Sequence, residues 1–365
     1  MLAGRSGSEL YAAELAEALL VRGHLPVIYT PAAGRLAEQL RARAIPVVTD
    51  LRTLTTPPDI IHGHHTHETL TALMAFPGVP AIQMHHGWAD RPPVPFPRIL
   101  RHVPVDDTVM ERLVTEWGID PTRIEVIRNW VNPAALPSRT ALPPSPRRAL
   151  VFSNSAAHHL AIVRDACEQA HIEVDAVGAD VGRVSERPGD MLGGYDIVFA
   201  KARAAMEAMA VGAAVVLCDR SGLGPMVSTS NVDELRRLNF GLRTLRDPIT
   251  REGVASRLAR YDPSDAALVS ARIRAEASLD DAVDRLEAVY ETVIDEWARN
   301  SGDAAGEMRA LSVYLQGITA EPPPNVAAAA LFKAVYGRLR QTPIARWLLP
   351  SPATALRIYR SMQKR

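Results

Sequence analysis

Short apolar runs alternate with amphipathic stretches over the first part of the chain, and this alternation restricts the fold more than any other sequence feature. Apolar residues spaced three and four apart predict helices, and short apolar runs bounded by turn residues predict buried strands. We predict helices at residues 9–22, 34–43 and 67–75, and strands at residues 26–29, 46–48, 59–62 and 79–84. Strands that alternate with helices favour a parallel sheet with helices on both faces.

The alternation starts again after a proline-rich segment. Five prolines lie between residues 133 and 146, with small and polar residues between them, which is typical of a linker. Beyond it we predict strands at residues 149–152, 173–177, 196–199 and 214–218, and helices at residues 156–170, 203–211 and 269–300.

These patterns predict an α/β fold built from two domains and a helical extension. We expect an N-terminal Rossmann-like domain, a linker, a second Rossmann-like domain and a basic helical extension, at residues 1–133, 134–148, 149–300 and 301–365. Open α/β sheets bind ligands beyond the carboxyl ends of their strands, so the functional site should lie in the cleft between the two domains.

Charge and cysteine content argue against several classes of protein. The chain has 41 basic and 41 acidic residues, a balance that gives no indication of a nucleic-acid partner. Cys167 and Cys218 lie far apart, which favours a reduced cytoplasmic protein over a disulfide-bonded one. No apolar run reaches the roughly 18 residues that a membrane-spanning helix needs.

The end of the chain is strongly basic. After Glu321 there are eight basic residues and no acidic one, so residues 1–321 carry a net charge of −8, from 33 basic and 41 acidic residues. Residues 326–365 also have an apolar helical face that includes Trp347, and this composition suits the headgroup region of an anionic bilayer. Packing of these helices onto the preceding domains is the alternative. A membrane contact would place the protein at the inner face of the membrane.

Residues 201–219 carry the strongest functional pattern in the sequence. A strand is predicted to end at Phe199 and a helix to begin near Arg203. The amides of the first helical turn, which includes Ala202, would then point at the cleft and form an anion site. Lys201 and Arg203 add two cations beside these amides.

Glu207 and Gly212 complete this segment. The Glu207 carboxylate can accept two hydrogen bonds from a vicinal diol such as a ribose, and Gly212 should end the helix in a left-handed conformation. The sequence from Glu207 to Val216 closely resembles the donor-binding signature of family 4 glycosyltransferases, which often reads Glu-Ala-Met-Ala-x-Gly-x-Pro-Val-Val. Ala214 replaces the usual proline. A well-capped helix with Glu207 on a solvated face is the alternative.

The resemblance implies a GT-B fold, in which two Rossmann-like domains face each other across a cleft that binds a nucleoside-diphosphate sugar. It implies transfer of the sugar to a hydroxyl group of a glycan or lipid-linked acceptor, in polysaccharide or glycolipid synthesis. By the same resemblance the transfer would retain the anomeric configuration and need no metal or other cofactor.

Other segments follow the family's order. The loop from Gly4 to Gly7 resembles the glycine-rich first loop, where the backbone can approach a phosphate. His85-His86-Gly87 resembles the strand end that faces the acceptor and the transferred sugar, so His86 is the candidate catalytic residue and His85 the second choice.

Two further segments match the acceptor side. Residues 59–64 resemble a strand that ends in an Asp-x-x-His pattern, which places His62 and His64 near the acceptor, and Asn129 lies in the segment that closes the N-terminal domain. The spacing of His62, His64 and His67 also resembles a zinc-hydrolase motif, although Thr66 stands where that motif has an aspartate. A metal-dependent hydrolase is therefore an alternative function.

The chain departs from the family at three places. Phe199 replaces a second glutamate that the family has eight residues before Glu207. Residues 152–159 contain neither the arginine nor the lysine that usually grip the diphosphate, so Lys201 and Arg203 would have to substitute. Only three residues precede Gly4, fewer than the roughly five of a central Rossmann strand, so we expect that strand upstream. A non-catalytic nucleotide-binding homologue is a second alternative.

Overall fold

The structure, a computed structural model, describes residues 2, 7–87, 93, 95–185, 187–299 and 302–320. The chain divides into two compact units, Met1–Asp303 and Ala304–Arg365. Both sets of alternating strands and helices belong to the first unit. In the second unit the described residues form one helix, so the predicted membrane contact through residues 326–365 lies outside the described part of the chain.

The N-terminal half of the first unit follows the predicted alternation. Its elements are α1 (Gly7–Val21), β1 (Ile28–Tyr29), α2 (Arg35–Ala42), β2 (Val47–Val48), β3 (Ile61–Gly63), α3 (Thr66–Ala75), β4 (Ala81–His85), β5 (Ile99–Pro104) and α4 (Asp107–Thr115). The sequence patterns did not predict β5 or α4. All of these strands pair in parallel, as predicted.

The N-terminal strands form two separate sheets. β1 pairs with β2, β4 lies between β3 and β5, and no strand in the described residues joins β1 to β3. Leu2 makes one isolated bridge to this region: its amide donates to the carbonyl of Ala32 at 3.2 Å, and its carbonyl accepts from the amide of Gly34 at 2.9 Å. Among the described residues, the β1–β2 pair and the β3–β5 sheet are therefore separate.

The second half of the first unit forms one five-stranded sheet. Its elements are β6 (Arg148–Phe152), α5 (Leu160–Gln169), β7 (Glu173–Val177), α6 (Pro188–Leu192), β8 (Ile197–Ala200), α7 (Ala202–Val211), β9 (Ala214–Asp219), β10 (Gly222–Met226), α8 (Val232–Arg237), α9 (Arg251–Leu258), α10 (Pro263–Glu276) and α11 (Leu279–Ala298). The strand order is β10-β9-β8-β6-β7, and separate apolar clusters cover the two faces of the sheet.

The structure corrects two details of the sequence analysis. Residues 222–226, where no strand was predicted, form β10, which pairs antiparallel with β9. A β-carbon at Gly224 would lie 2.7 Å from the carbonyl oxygen of Thr244, so glycine lets this strand approach the neighbouring chain closely. The single helix expected at residues 269–300 is broken between α10 and α11, because Ser278 caps a new helix by accepting a hydrogen bond from the amide of Asp281 at 3.1 Å.

Helix α11 returns the chain to the N-terminal half. Its buried residues Val283, Leu286 and Val293 share an apolar cluster with Met84 of β4 and with Tyr11 of α1. The second unit contributes helix α12 (Ala304–Ala320). Among the described residues, none of the helices is both long and apolar enough to cross a membrane.

Candidate functional site

The turn between β8 and α7 directs a helix N-terminus toward the carboxyl edge of the second sheet. Lys201 is extended and precedes the helix, and Ala202 has a φ of +49°, a left-handed conformation that is strained for a residue with a β-carbon. The amide of Ala202 donates to the carbonyl of Phe240 at 2.9 Å, which fixes the turn. At the other end Gly212 has a φ of +105°, so the predicted left-handed glycine cap is confirmed.

Arg203 lies between two carboxylates, one from each half of the first unit. Its Nε donates to Oε1 of Glu207 at 2.8 Å, and its terminal nitrogen pairs with Glu14 of α1. The other oxygen of Glu14 accepts a hydrogen bond from the indole nitrogen of Trp130 at 3.0 Å. Arg203 and Glu207 are thus brought together as the sequence suggested, and Glu14 and Trp130 join them.

Burial and ion pairing have opposite effects on the pKa of Arg203. Removal from water opposes the guanidinium charge, but the carboxylates of Glu14 and Glu207 outweigh it and raise the pKa of Arg203. Glu207 itself is buried. The three side chains carry a net charge of −1, so the site already holds one more carboxylate than its arginine neutralises.

Lys201 belongs to a second polar group at the same sheet edge. Its Nζ lies 3.7 Å from Oδ2 of Asp219, and this oxygen also accepts hydrogen bonds from the hydroxyls of Ser153 at 3.1 Å and Ser155 at 3.2 Å. Lys201 follows β8, Asp219 is the last residue of β9, and the two serines follow β6. A third of the Lys201 side chain remains exposed, so its ammonium group can turn toward a ligand.

His159 lies at the start of α5, in the segment that lacks the family's arginine and lysine. Its side chain is 1% exposed, and neither ring nitrogen has a hydrogen-bond partner in the described part of the chain. Burial lowers the pKa of His159, and the negative charges of Asp219 and Asp180 partly offset this effect. The sequence analysis did not single out this residue, because a histidine in a His-His pair near a helix start has no specific pattern.

Histidines and aromatic residues form a compact cluster at the carboxyl edge of the β3–β5 sheet. Nδ1 of His64 lies 2.8 Å from Nε2 of His86, and Nδ1 of His62 lies 2.6 Å from the hydroxyl of Tyr290. The rings of His62 and His64 stack with centroids 4.6 Å apart, and Tyr11 meets His86 edge-on at 4.9 Å. The structure therefore brings together three of the predicted histidines, His62, His64 and His86.

The cluster is neutral at physiological pH. Burial lowers the pKa of His62 and of His86 to about 3, and it holds the pKa of His64 well below its ordinary value. Neighbouring histidines contribute in the same direction for His64 and His86. A neutral imidazole can both donate and accept a hydrogen bond, which suits recognition of sugar hydroxyls.

His85 and His86 have different surroundings although they are adjacent. His85 is 2% exposed, and its Nε2 lies 3.0 Å from Nδ1 of His102, while its ring also approaches Trp117. His86 instead faces His64 and Tyr11. Of the two predicted candidates, His86 is the one that shares the cluster with the other predicted residues.

The remaining predicted residues lie elsewhere. Asn129 lines a separate cavity beside Arg128, and Gly7 begins α1, whereas Gly4 is outside the described residues. His67 is exposed on α3, and no group of three histidine, cysteine or acidic side chains in the described residues could hold a metal ion. The alternative of a metal site formed by His62, His64 and His67 is therefore wrong for these residues, because α3 carries His67 away from the stacked pair.

Tyr11, Glu14 and Tyr290 were missed by the sequence analysis. Tyr11 and Glu14 are three residues apart, so they lie on one face of α1, a spacing that is also typical of an ordinary amphipathic helix. The Tyr11 ring centroid lies 3.9 Å from that of Trp130, which also bonds Glu14. Helix α1 therefore links the histidine cluster to Arg203.

The chain is similar to known glycosyltransferases in part of its sequence and in its fold. Residues 5–135 match the sequence profile of the family described as Glycosyltransferase Family 4, and no curated protein sequence matches the chain. Among solved structures, a glycosyltransferase from Rickettsia africae ESF-5 is 16% identical, with a TM-score of 0.58 over 81% of this chain and 96% of that one.

Two further structures have the same fold. Anabaena HepE, solved in complex with UDP and glucose, is 13% identical, with a TM-score of 0.53 over 80% of this chain and 98% of that one. AviGT4, a glycosyltransferase of avilamycin A biosynthesis, is 18% identical, with a TM-score of 0.51 over 80% of this chain and 91% of that one. The predicted GT-B fold and the resemblance to family 4 glycosyltransferases are confirmed.

Proposed function

We propose that this chain, which has the GT-B glycosyltransferase fold and matches Glycosyltransferase Family 4 over residues 5–135, transfers a sugar from a nucleoside diphosphate to a hydroxyl group of an acceptor. The observation that carries the proposal is the buried Glu207 carboxylate, bonded to Arg203 one turn into the helix that starts at the end of β8. A carboxylate and a cation at a helix N-terminus form a site for a diol attached to a diphosphate.

The donor would bind along the edge of the second sheet. Glu207 accepts hydrogen bonds from the ribose hydroxyls, while Lys201, Arg203 and the amides of α7 that follow Ala202 hold the diphosphate, since the Ala202 amide is already bonded to Phe240. As the bond to the sugar breaks, negative charge grows on the departing diphosphate, and these fixed cations and amides stabilise it. The donor is the only activated group in this reaction, so the proposal needs no cofactor and no metal.

The diphosphate must compete for Arg203. The guanidinium group already binds Glu14 and Glu207, and Glu207 is needed for the ribose. We therefore propose that Glu14 is the partner that the diphosphate replaces at Arg203. The ion pair between Lys201 and Asp219 is longer, at 3.7 Å, so the diphosphate can draw Lys201 away from Asp219 more easily.

The transferred sugar would face the histidine cluster. His86 is the proposed catalytic residue, and as a neutral imidazole it would hydrogen-bond a sugar or acceptor hydroxyl, with His64 orienting its ring. No carboxylate stands at Phe199, which is fully buried in β8, so the site is expected to orient the sugar through these imidazoles. We propose retention of the anomeric configuration, as the family resemblance implies.

The proposal extends to the nucleotide, the acceptor and the place of the protein in the cell. HepE was solved in complex with UDP and glucose, so UDP is the first nucleotide to test here. We propose a glycan or lipid-linked acceptor in polysaccharide or glycolipid synthesis. The basic residues 326–365 would hold the protein at the cytoplasmic face of an anionic membrane.

A non-catalytic nucleotide-binding homologue is the second candidate function. Two observations favour it: Phe199 replaces a family carboxylate, and Arg203 is already paired with two carboxylates. Slow hydrolysis of a bound sugar nucleotide supports the transferase, whereas nucleotide binding without any hydrolysis or transfer supports the homologue.

Calorimetry with Glu207→Ala tests the donor site. UDP, GDP and ADP are titrated into the wild-type chain and the variant, and we expect the affinity for the preferred nucleotide to fall roughly 100-fold, since two hydrogen bonds to a charged acceptor are lost. Glu234→Ala on α8, whose side chain is exposed, is the matched control and should bind as the wild type does. Unchanged affinity in Glu207→Ala would remove the main support for the proposal.

A further inference from the structure

Two segments connect the halves of the first unit, and they lie side by side. One leaves the N-terminal half at Val131, and the other returns to it between α10 and α11. The amide of Val131 donates to the carbonyl of Ala277 at 2.8 Å, and the amide of Leu279 donates to the carbonyl of Val131 at 3.0 Å. This crossing is the place about which the two halves would turn.

A cavity of about 430 Å³ lies beside this crossing. It is lined by residues 127–130 on the N-terminal side, by residues 276–282 on the returning segment, and by Arg236 and neighbouring residues of α8. Pockets for small molecules usually measure about 300–1,000 Å³, so the cavity can hold a small metabolite. It does not include Glu207, Lys201 or the histidine cluster.

Two arginines that line the cavity have unsatisfied donors. Nε of Arg128 and Nε of Arg236 are both buried and without a hydrogen-bond partner in the described residues. The terminal nitrogens are engaged: Arg128 pairs with Asp107, and Arg236 donates to the carbonyl of Glu276. A buried donor without an acceptor costs about 1–3 kcal/mol, which a ligand oxygen would remove once the side chain turns its Nε toward the cavity.

The two guanidinium groups also affect each other. Burial lowers the pKa of Arg236. The negative charge of Glu276 raises it in part, and the positive charge of Arg128 lowers it again. An anion placed between the two arginines would relieve this repulsion. Guanidinium groups bind phosphate oxygens through paired N–H donors, so a phosphate group matches this geometry better than a single carboxylate oxygen does.

The rest of the lining indicates what the phosphate is attached to. Asp233, Asp281 and Ser278 bring oxygens that can accept hydrogen bonds from hydroxyl groups, and Ile127 and Ala282 supply apolar surface. We propose that the cavity beside Val131 and Ala277 binds a small phosphomonoester that carries hydroxyl groups, with its phosphate between Arg128 and Arg236.

Such a ligand would influence the arrangement of the two halves. Arg128 precedes Trp130, which is packed in the N-terminal apolar cluster, whereas Arg236 lies on α8, whose Leu235 is packed in the cluster of the second sheet. A molecule that bonds both arginines stabilises the arrangement in which both line the cavity. The site is thus an effector site, separate from the donor site, and it does not depend on the proposed transferase activity.

Calorimetry on the full chain tests this site with three probes: sn-glycerol 3-phosphate, inorganic phosphate and uncharged glycerol. We expect saturable binding of glycerol phosphate, weaker binding of inorganic phosphate and none of glycerol. Arg128→Gln and Arg236→Gln should each weaken glycerol phosphate binding at least about tenfold, because each removes a charge-assisted hydrogen bond. The ligand should raise the unfolding temperature of the wild-type chain and not that of either variant.

Arg243→Gln is the matched control, since Arg243 also forms an ion pair between the two halves, with Glu111, but does not line the cavity. It should bind glycerol phosphate as the wild type does. If a glutamine variant does not fold, the corresponding lysine variant keeps the charge without the guanidinium fork and should still bind more weakly. Absence of saturable binding, or equal binding by the wild type and both cavity variants, would overturn the proposal.

Discussion

The carboxyl edges of the two sheet regions in the first unit have opposite electrostatic character. At the edge of the β3–β5 sheet, His62, His64 and His86 are partly buried, stacked and held neutral. At the edge of the second sheet, by contrast, Arg203 and Glu207 are paired ions. Both edges follow from the same parallel α/β construction, so the difference lies in the few residues that immediately follow each strand.

This difference suits a reaction that brings together a charged diphosphate and uncharged hydroxyl groups. A charged edge can bind a diphosphate, and a neutral edge can bind sugar and acceptor hydroxyls without attracting counterions. The two edges are joined through α1, where Tyr11 contacts His86 and Glu14 pairs with Arg203. Variants on either edge therefore test whether they act as two halves of one site.

Replacing Arg203 should produce the largest effect. In Arg203→Gln, the carboxylates of Glu14 and Glu207 lose their shared cation, and we expect stability to fall by about 3 kcal/mol as well as loss of nucleotide binding. Chemical denaturation and calorimetry measure the two effects. The double variant Arg203→Gln, Glu14→Gln should recover part of the stability, since it removes one of the unpaired carboxylates. A stability loss that the second substitution does not reduce would mean that the charged edge is not held by this triad.

Exchange of His86 tests the neutral edge. We expect His86→Ala to lower kcat roughly 100-fold with little change in nucleotide affinity, because the imidazole would act on the sugar and acceptor rather than on the diphosphate. His85→Gln is the matched control on the adjacent residue, where kcat should stay within about threefold while stability falls, since His85 is bonded to His102. If His85→Gln lowers kcat and His86→Ala does not, the two histidines have the reverse roles.

The neutral edge should also make stability sensitive to acid. Burial lowers the pKa of His102 to about 3 and that of His85 to about 4, so both stay neutral in the folded chain while the unfolded chain takes up protons below pH 6.5. Stability is therefore complete above pH 6.5 and is lost as the pH falls toward 4, by on the order of 1 kcal/mol per pH unit for each such histidine.

The variant His102→Gln isolates one of these histidines. Denaturation at pH 7.0, 6.0 and 5.0 should show a shallower loss of stability than in the wild type, whatever the variant's stability at neutral pH. An unchanged slope in His102→Gln would mean that this pair of histidines does not stay neutral in the folded chain.

Sequence patterns predicted the charged edge better than the neutral edge. Lys201, Arg203, Glu207 and Gly212 lie in one continuous segment, so helix periodicity and capping rules place them together without knowledge of the tertiary fold. The histidine cluster combines β3, β4, α1 and α11, with Tyr290 lying 228 residues from the histidine it contacts. Periodicity describes local structure and cannot indicate which distant elements meet.

The same limit applies to the fold. Alternation predicted most strands and helices, but β10 was missed because an antiparallel strand rich in glycine and proline has the composition of a turn. The break between α10 and α11 was missed because Ser278 is an ordinary helix residue in sequence, and it becomes a cap only where the chain crosses Val131. These features depend on tertiary contacts.

The smallest expected effect concerns Glu14, the residue that joins the two edges. If the donor diphosphate replaces the Glu14 carboxylate at Arg203, Glu14→Gln removes the competing anion, and nucleotide affinity should rise several-fold, on the order of 1 kcal/mol. Glu17→Gln on the same helix, where Glu17 pairs with Arg43 instead, is the matched control and should have no effect. Calorimetry with the preferred nucleotide measures both variants. A fall in affinity in Glu14→Gln would show the opposite relation. Glu14 would then hold Arg203 in place for the donor, and its carboxylate would support nucleotide binding instead of competing with the diphosphate.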